Sequence, residues 1–81
     1  MNLETGQIVC SRAGHDNGWF YAVVSFDGKF AYICDGRYRP LEHPKKKNPL
    51  HLAPTTMSLP KSSMETNHEL RKSLARFNKA K

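Results

Sequence analysis

The sequence predicts a mainly β protein: a small antiparallel sheet curled into a partly open barrel, followed by a C-terminal α-helix. Two observations carry this. Between Gly6 and Gly36, three short runs rich in aromatic and β-branched residues alternate with clusters of Gly, Asn and Asp, the pattern of strands and tight turns. Beyond residue 65 the apolar residues change to helical spacing. A chain of 81 residues makes one small domain with a tail. At that size it buries roughly 60% of the surface its unfolded form exposes, too little for a solvent-excluded active site of the usual kind.

The elements follow in order. "QIVCSR", after Gly6, reads as the first strand, and "AGHDNG", residues 13–18, as a turn. "WFYAVVSF", Trp19 to Phe26, is the second strand. Its first three aromatics must alternate between faces, and Phe20 is expected in the core. Asp27-Gly28 is a two-residue hairpin signal between apolar runs. "FAYICD" is the third strand, closed by Asp35-Gly36, and "LHLA", Leu50 to Ala53, is expected as a fourth. The β region, residues 1–54, is expected to end near Pro54, because "APTTMSLPKSS" is polar, interrupted by proline and without period. Residues 55–65 therefore read as a linker.

The helix is expected over residues 66–80. Thr66 and Glu69 have the spacing of a capping box, with Ser62 and Glu65 as a rival start one turn earlier. Leu70, Leu74 and Phe77 form a narrow apolar stripe, while Arg71, Lys72, Arg76 and Lys79 take other faces. A helix of about 12 residues is marginal by itself in water. Beyond Pro54 the free chain is expected to be largely mobile unless the barrel or a partner holds the helix.

The charge is uneven. Residues 1–35 set Arg12 and Lys29 against Glu4, Asp16, Asp27 and Asp35, a net of −2, while residues 36–81 carry +8. Such asymmetry suits a polyanionic partner, nucleic acid or an anionic membrane, or else a merely solvated basic surface. "GRYRPLEHPKKKNPLHL", residues 36–52, holds five of the thirteen Lys and Arg residues between prolines that exclude a regular helix or a central strand. Arg37 and Arg39, two apart, share a face if extended, and their planar forks suit phosphates or bases. Lys45, Lys46 and Lys47 cannot all point one way on a regular element. His43 and His51 flank them. The stretch reads as a stiff loop raking phosphates, with Tyr38 placed to stack on an unpaired base. In the first turn His15 is a further phosphate donor, and Asp16 is expected to bond local backbone amides.

Other chemistries find little support. Cys10 and Cys34 are too few for a disulfide framework, and no secretory leader is read before them, so reduced thiols in the cytoplasm are expected. No apolar run approaches the roughly 20 residues that span a bilayer. Neither a C-x-x-C knuckle nor an H-x-x-x-H pair occurs, so no metal or other cofactor is expected. His15-Asp16 has no nucleophile spaced for it, and no phosphate-cradling glycine loop opens a helix, so no enzyme and no small-molecule substrate are expected.

"GQIVCSRAGHDNGWFYAVVSFDGKFAYICDG" resembles the KOW motif: a glycine, an alternating strand, a glycine turn and a second apolar strand. Its continuation "DGRYRPLEHPKKKNPLHL" is similar to the bacterial KOW-domain RNA-binding proteins, themselves similar to archaeal and eukaryotic large-subunit ribosomal proteins. The likeness covers about residues 3–54, and "ETNHELRKSLARFN" is also similar to the bacterial group. Ser11 departs from the pattern, standing where a core-facing strand residue is normally apolar. The resemblance implies an SH3-like β-barrel and a noncatalytic, ribosome-associated role in the cytoplasm. Its partners would be ribosomal RNA, the large subunit and neighbouring ribosomal proteins. The candidate RNA contacts are Arg12, His15, Arg37, Tyr38, Arg39, His43, Lys45, Lys46, Lys47, His51, Arg71, Lys72 and Arg76. The alternatives are an SH3-like protein-interaction module on transcription or translation machinery, using Trp19 and Tyr21 for a peptide, and a membrane-surface protein anchored by its helix. Three apolar helix residues make a weak membrane anchor.

Overall fold

The computed structural model describes residues 2–79. It is mainly β, with a C-terminal helix, as the sequence predicts. The strands are β1 (Gln7–Ser11), β2 (Phe20–Phe26), β3 (Ala31–Cys34), β4 (Lys45–Lys47) and β5 (Leu52–Ser58). Short 3-10 turns occupy Pro49–His51 and Lys61–Met64, and α1 spans Asn67–Asn78. All strand pairs are antiparallel, in the order β4-β3-β2-β1-β5, so β4 and β5 are the edges. Residue 80, the expected helix end, lies outside the described residues.

Period-two alternation builds two cores, one on each face of the sheet. Val9, Tyr21, Val23, Ala31 and Ile33 face one way and pack with Leu3 and Leu52. Ile8, Ala22 and Cys34 face the other way and pack against Leu70 and Leu74 of α1. No helix residue belongs to the first cluster, yet Val9, Val23 and Ile33 are fully buried. Leu3 from the chain before β1, Leu52 of β5 and the half-buried Trp19 and Phe26 cover that face. Register shifts between Val23 and Ser25 of β2 and between Gln7 and Val9 of β1 supply bends.

Several expectations are corrected. Leu50 and His51 lie in a 3-10 turn; the fourth strand is the lysine triplet, and Leu52 opens a fifth. The 55–65 segment is not a linker, because β5 continues to Ser58 and Leu59 N–H still donates to the Gly6 carbonyl at 2.8 Å. Pro54 is accommodated because β5 is an edge, where a missing donor costs no central ladder bond. Gly6, at φ +90°, lets β5 come so close that a Cβ would meet the Leu59 carbonyl oxygen at 2.7 Å. Among the strand aromatics Tyr21 is the fully buried one; Phe20 is half-buried, on the opposite face, with its ring 5.3 Å from Phe77. The β2–β3 connection takes four residues, with the Asp27 carboxylate accepting from the Lys29 and Phe30 amides.

The tail expected to be mobile is instead packed on the sheet. Leu70 and Leu74 are buried on β1, β2 and β3 residues, the stripe read from the sequence. Thr66 Oγ1 accepts from Glu69 N–H at 3.1 Å, which caps the first turn. Two asparagines then tie the helix ends down. Asn67 Oδ1 accepts from Leu41 N–H at 2.7 Å, and the buried Asn78 amide pairs with both the N–H and the carbonyl of Phe20, at 2.9 and 3.1 Å.

Candidate nucleic-acid interface

Two buried or half-buried carboxylates organise the basic half of the chain. Asp16, in the 13–18 turn, accepts from Ser11 Oγ at 2.8 Å, Lys45 Nζ at 2.9 Å, Tyr21 OH at 3.0 Å and Lys47 Nζ at 3.3 Å. The local backbone amides expected as its partners are replaced by side chains, two of them five residues away and two of them lysines 29 and 31 residues away. Ser11 thus has a reason to be polar and buried: it donates to this carboxylate. Partial burial works against the Asp16 charge. The bonds from Lys45, Ser11, Tyr21 and Lys47 outweigh it and hold the carboxyl well below the usual carboxylate range. Burial first, then the Asp16 bond and charge, push the Tyr21 phenol above its ordinary range.

The lysine triplet is therefore not a free rake. Ala31, Tyr32 and Ile33 of β3 pair with Lys47, Lys46 and Lys45, and strand alternation sends the first and last lysine to Asp16. Lys47 is only 9% exposed, and its ammonium also reaches the Ala13 carbonyl at 3.3 Å. Lys46 points the other way, exposed, 4.2 Å from the centre of the Phe30 ring. A lysine-rich edge also discourages pairing with another sheet.

Asp35, at the end of β3, is the second organiser. Its buried carboxylate accepts from Trp19 Nε1 at 2.8 Å and from the amides of Arg37 and Arg39 at 2.9 and 2.8 Å. The turn that carries both arginines is thereby held from inside. Between them Tyr38 stands 64% exposed, edge-on to Trp19 with ring centres 5.6 Å apart, and the Arg37 guanidinium lies 4.9 Å from its ring centre. Gly36, at φ +80°, allows α1 to lie directly on this turn: a Cβ there would strike the Asn67 carbonyl and the Arg71 amide.

Two clefts result, and the Trp19 indole is a wall of both. One, about 380 Å³, runs between the Asp35 turn and α1 and is lined by Trp19, Arg37, His68, Arg71, Lys72 and Lys79 over Leu74 and Ala75. The other, about 580 Å³, is lined by His15, Asp16, Asn17, Trp19, Tyr21, Tyr38, Arg39 and Lys45. The structure so brings together Arg37, Arg71 and Lys72 on one side, and His15, Tyr38, Arg39 and Lys45 on the other. Arg12, His43, Lys46, Lys47, His51 and Arg76 line neither cleft. Arg12 and His51 are exposed neighbours joined by a backbone bond, Arg12 N–H to the His51 carbonyl at 2.8 Å. Arg76 packs over the Phe77 ring at 4.8 Å, and His43 is exposed after the Asp35 turn.

Sequence reasoning assigned Trp19 only to the alternative peptide groove and left His68 and Lys79 out of the candidate contacts. A signal for the last two was present: His68, Arg71, Lys72, Ala75 and Lys79 recur at the three- and four-residue steps of one helix face. Tyr21, the other half of the alternative peptide groove, lines the second cleft together with Trp19, though it is largely buried and bonded to Asp16. Among the described residues no helix is long and apolar enough to cross a membrane, and no group of three or more His, Cys, Asp or Glu side chains is placed to hold a metal ion. No protein-family model matches the chain, and no curated protein matches it.

Proposed function

We propose that the chain is a KOW-type RNA-binding module on an SH3-like barrel, acting without catalysis as a ribosome-associated, cytoplasmic protein. Its partner is folded ribosomal RNA of the large subunit. The observation that carries this reading is the convergence of cations that have no carboxylate partner among the described residues. Arg37 from the Asp35 turn and Arg71, Lys72 and Lys79 from α1 line one groove, with Arg39 across the Trp19–Tyr38 ridge. These side chains come from segments 32 or more residues apart, joined only by the fold.

The mechanism is electrostatic and shape-based. Cations meet phosphates and release condensed counterions, which supplies affinity without sequence preference. The Asp35 hydrogen bonds fix the turn before RNA arrives, so less ordering entropy is lost on binding. If the five cations each meet one phosphate of folded RNA, log K against log salt has a slope of about −3.5 to −4.5.

The test is a titration of purified protein with large-subunit ribosomal RNA over a salt series, beside sedimentation of cell extract through a gradient. Binding with such a slope, and cofractionation with the large subunit, are the expected results. A flat salt dependence, or protein found only at the top of the gradient, would refute the reading.

A further inference from the structure

The groove between α1 and the Asp35 turn is not built like a phosphate track. Phosphates need cations and donors, and an apolar floor does nothing for them. Here the cations Arg37, Arg71, Lys72 and Lys79 surround an interior made by the Trp19 indole, Leu74 and Ala75. A volume of about 380 Å³ lies in the range of sites that enclose a small organic group. An apolar slot with a cationic rim matches one nucleotide whose base has left its stack: the base has two apolar faces, and its flanking phosphates stay outside.

The wall is also prepared. Trp19 Nε1 is tied to the buried Asp35 carboxylate at 2.8 Å, and Tyr38 stands edge-on to the indole. The polar groups in the interior are already engaged, Asp35 by Trp19, Arg37 and Arg39, and the Asn78 amide by the Phe20 backbone. Little is left in the interior to read a base edge, so recognition by stacking tolerates any base.

We infer that this groove takes one unpaired nucleotide of the RNA, its base against Trp19 and its flanking phosphates on Arg37 and Arg71, so that the protein selects bulged or looped RNA over continuous duplex. The inference rests on the RNA-binding reading and narrows it to one structural class of RNA.

Trp19 is the single tryptophan of the chain, so its fluorescence reports on the groove. The probes are RNA hairpins of equal length, one fully paired and four carrying a single bulged A, C, G or U. Bulged hairpins are expected to bind about tenfold or more tighter than the paired one, whichever base is bulged, and to quench Trp19. Ala75→Gln is the control. Ala75 is exposed on α1, and glutamine keeps the charge and the helix propensity while filling the groove. It is expected to reduce the preference for bulges to within about twofold. Equal binding of all hairpins would overturn the groove assignment and leave RNA binding standing. Binding of none would overturn both. Quenching of Trp19 by a hexaglutamate peptide but not by bulged RNA would assign the groove to an acidic protein partner, and so overturn the inference.

Discussion

Lys47 Nζ lies 3.3 Å from Asp16 Oδ1, closing a contact between β4 and the 13–18 turn across 31 residues of chain. Lys45 reaches the other oxygen of the same carboxylate at 2.9 Å. Two of the three consecutive lysines are therefore spent on the fold. Their neutralisation should act on stability, and neutralisation of the groove cations should act on RNA.

Lys47→Gln is expected to lower stability by about 2 kcal/mol, because a charge-assisted hydrogen bond disappears and Asp16 keeps one cation fewer. Its salt slope for RNA should stay within error of wild type. Arg37→Gln with Arg71→Gln should instead leave the melting temperature nearly unchanged and shrink the slope by up to roughly 0.7–0.9 for each phosphate no longer neutralised. Denaturant unfolding and a salt series measure the two arms. A Lys47 variant that is fully stable but has no salt dependence would reverse the assignment.

The Asp16 cluster sets an acid limit. Its carboxyl is held below the usual range in the folded chain, so its stabilisation is complete above the unfolded value of about 3.9 and fades as pH falls toward the folded value. Melting temperature should drop steeply below about pH 4. Asp16→Asn should be less stable at neutral pH, by about 2 kcal/mol, and its loss below pH 4 shallower. Asp27, held down mainly by the Phe30 and Lys29 amides, and Glu42, held down by Asn67, leave a residual acid dependence in the variant.

The docking of α1 predicts that amides around Leu70 and Leu74 are protected from hydrogen exchange together with those of Val9, Val23 and Ile33. Asn78→Ala removes both hydrogen bonds to the Phe20 backbone and should cost roughly 1–3 kcal/mol. Gly36→Ala should undock the helix more severely, since φ +80° alone costs roughly 1–3 kcal/mol for a residue with a Cβ, before the overlap with Asn67. Fast exchange at Leu70 in the wild-type chain would contradict this packing.

The two thiols should separate by reactivity. Burial, reinforced by the Asp35 and Glu42 charges, pushes the Cys34 thiol up to about 12, whereas Cys10 is partly exposed. A thiol reagent at pH 8 should modify Cys10 alone in the folded chain and Cys34 only after denaturation. Rapid modification of both would mean that the face beneath α1 opens readily.

Local pattern made much of the fold legible. Three strands stand within one or two residues of where their aromatic and β-branched runs place them. The helix stripe of Leu70 and Leu74 is the one that is buried, and Thr66 caps it. β4 and the second half of β5 escaped because "KKK" and "TTMS" have no apolar alternation. Both are edge strands, which need partners on one side only and so need little β propensity of their own. The order of burial of Phe20 and Tyr21 escaped for a related reason. Alternation says that neighbours face opposite ways, but not which face is the more enclosed.

The sequence by itself determined the class of fold, the capped helix and the concentration of positive charge in the second half, because these follow from composition and from periods that neighbouring residues express. Which cations are free to meet a partner was decided only by tertiary structure. The partner of Lys47 is 31 positions away, at Asp16, and the helix that completes the groove reaches the Asp35 turn only because Gly36 lacks a Cβ. A charge in a sequence has a sign. Whether it is spent inside the fold depends on a carboxylate brought near it by the path of the chain.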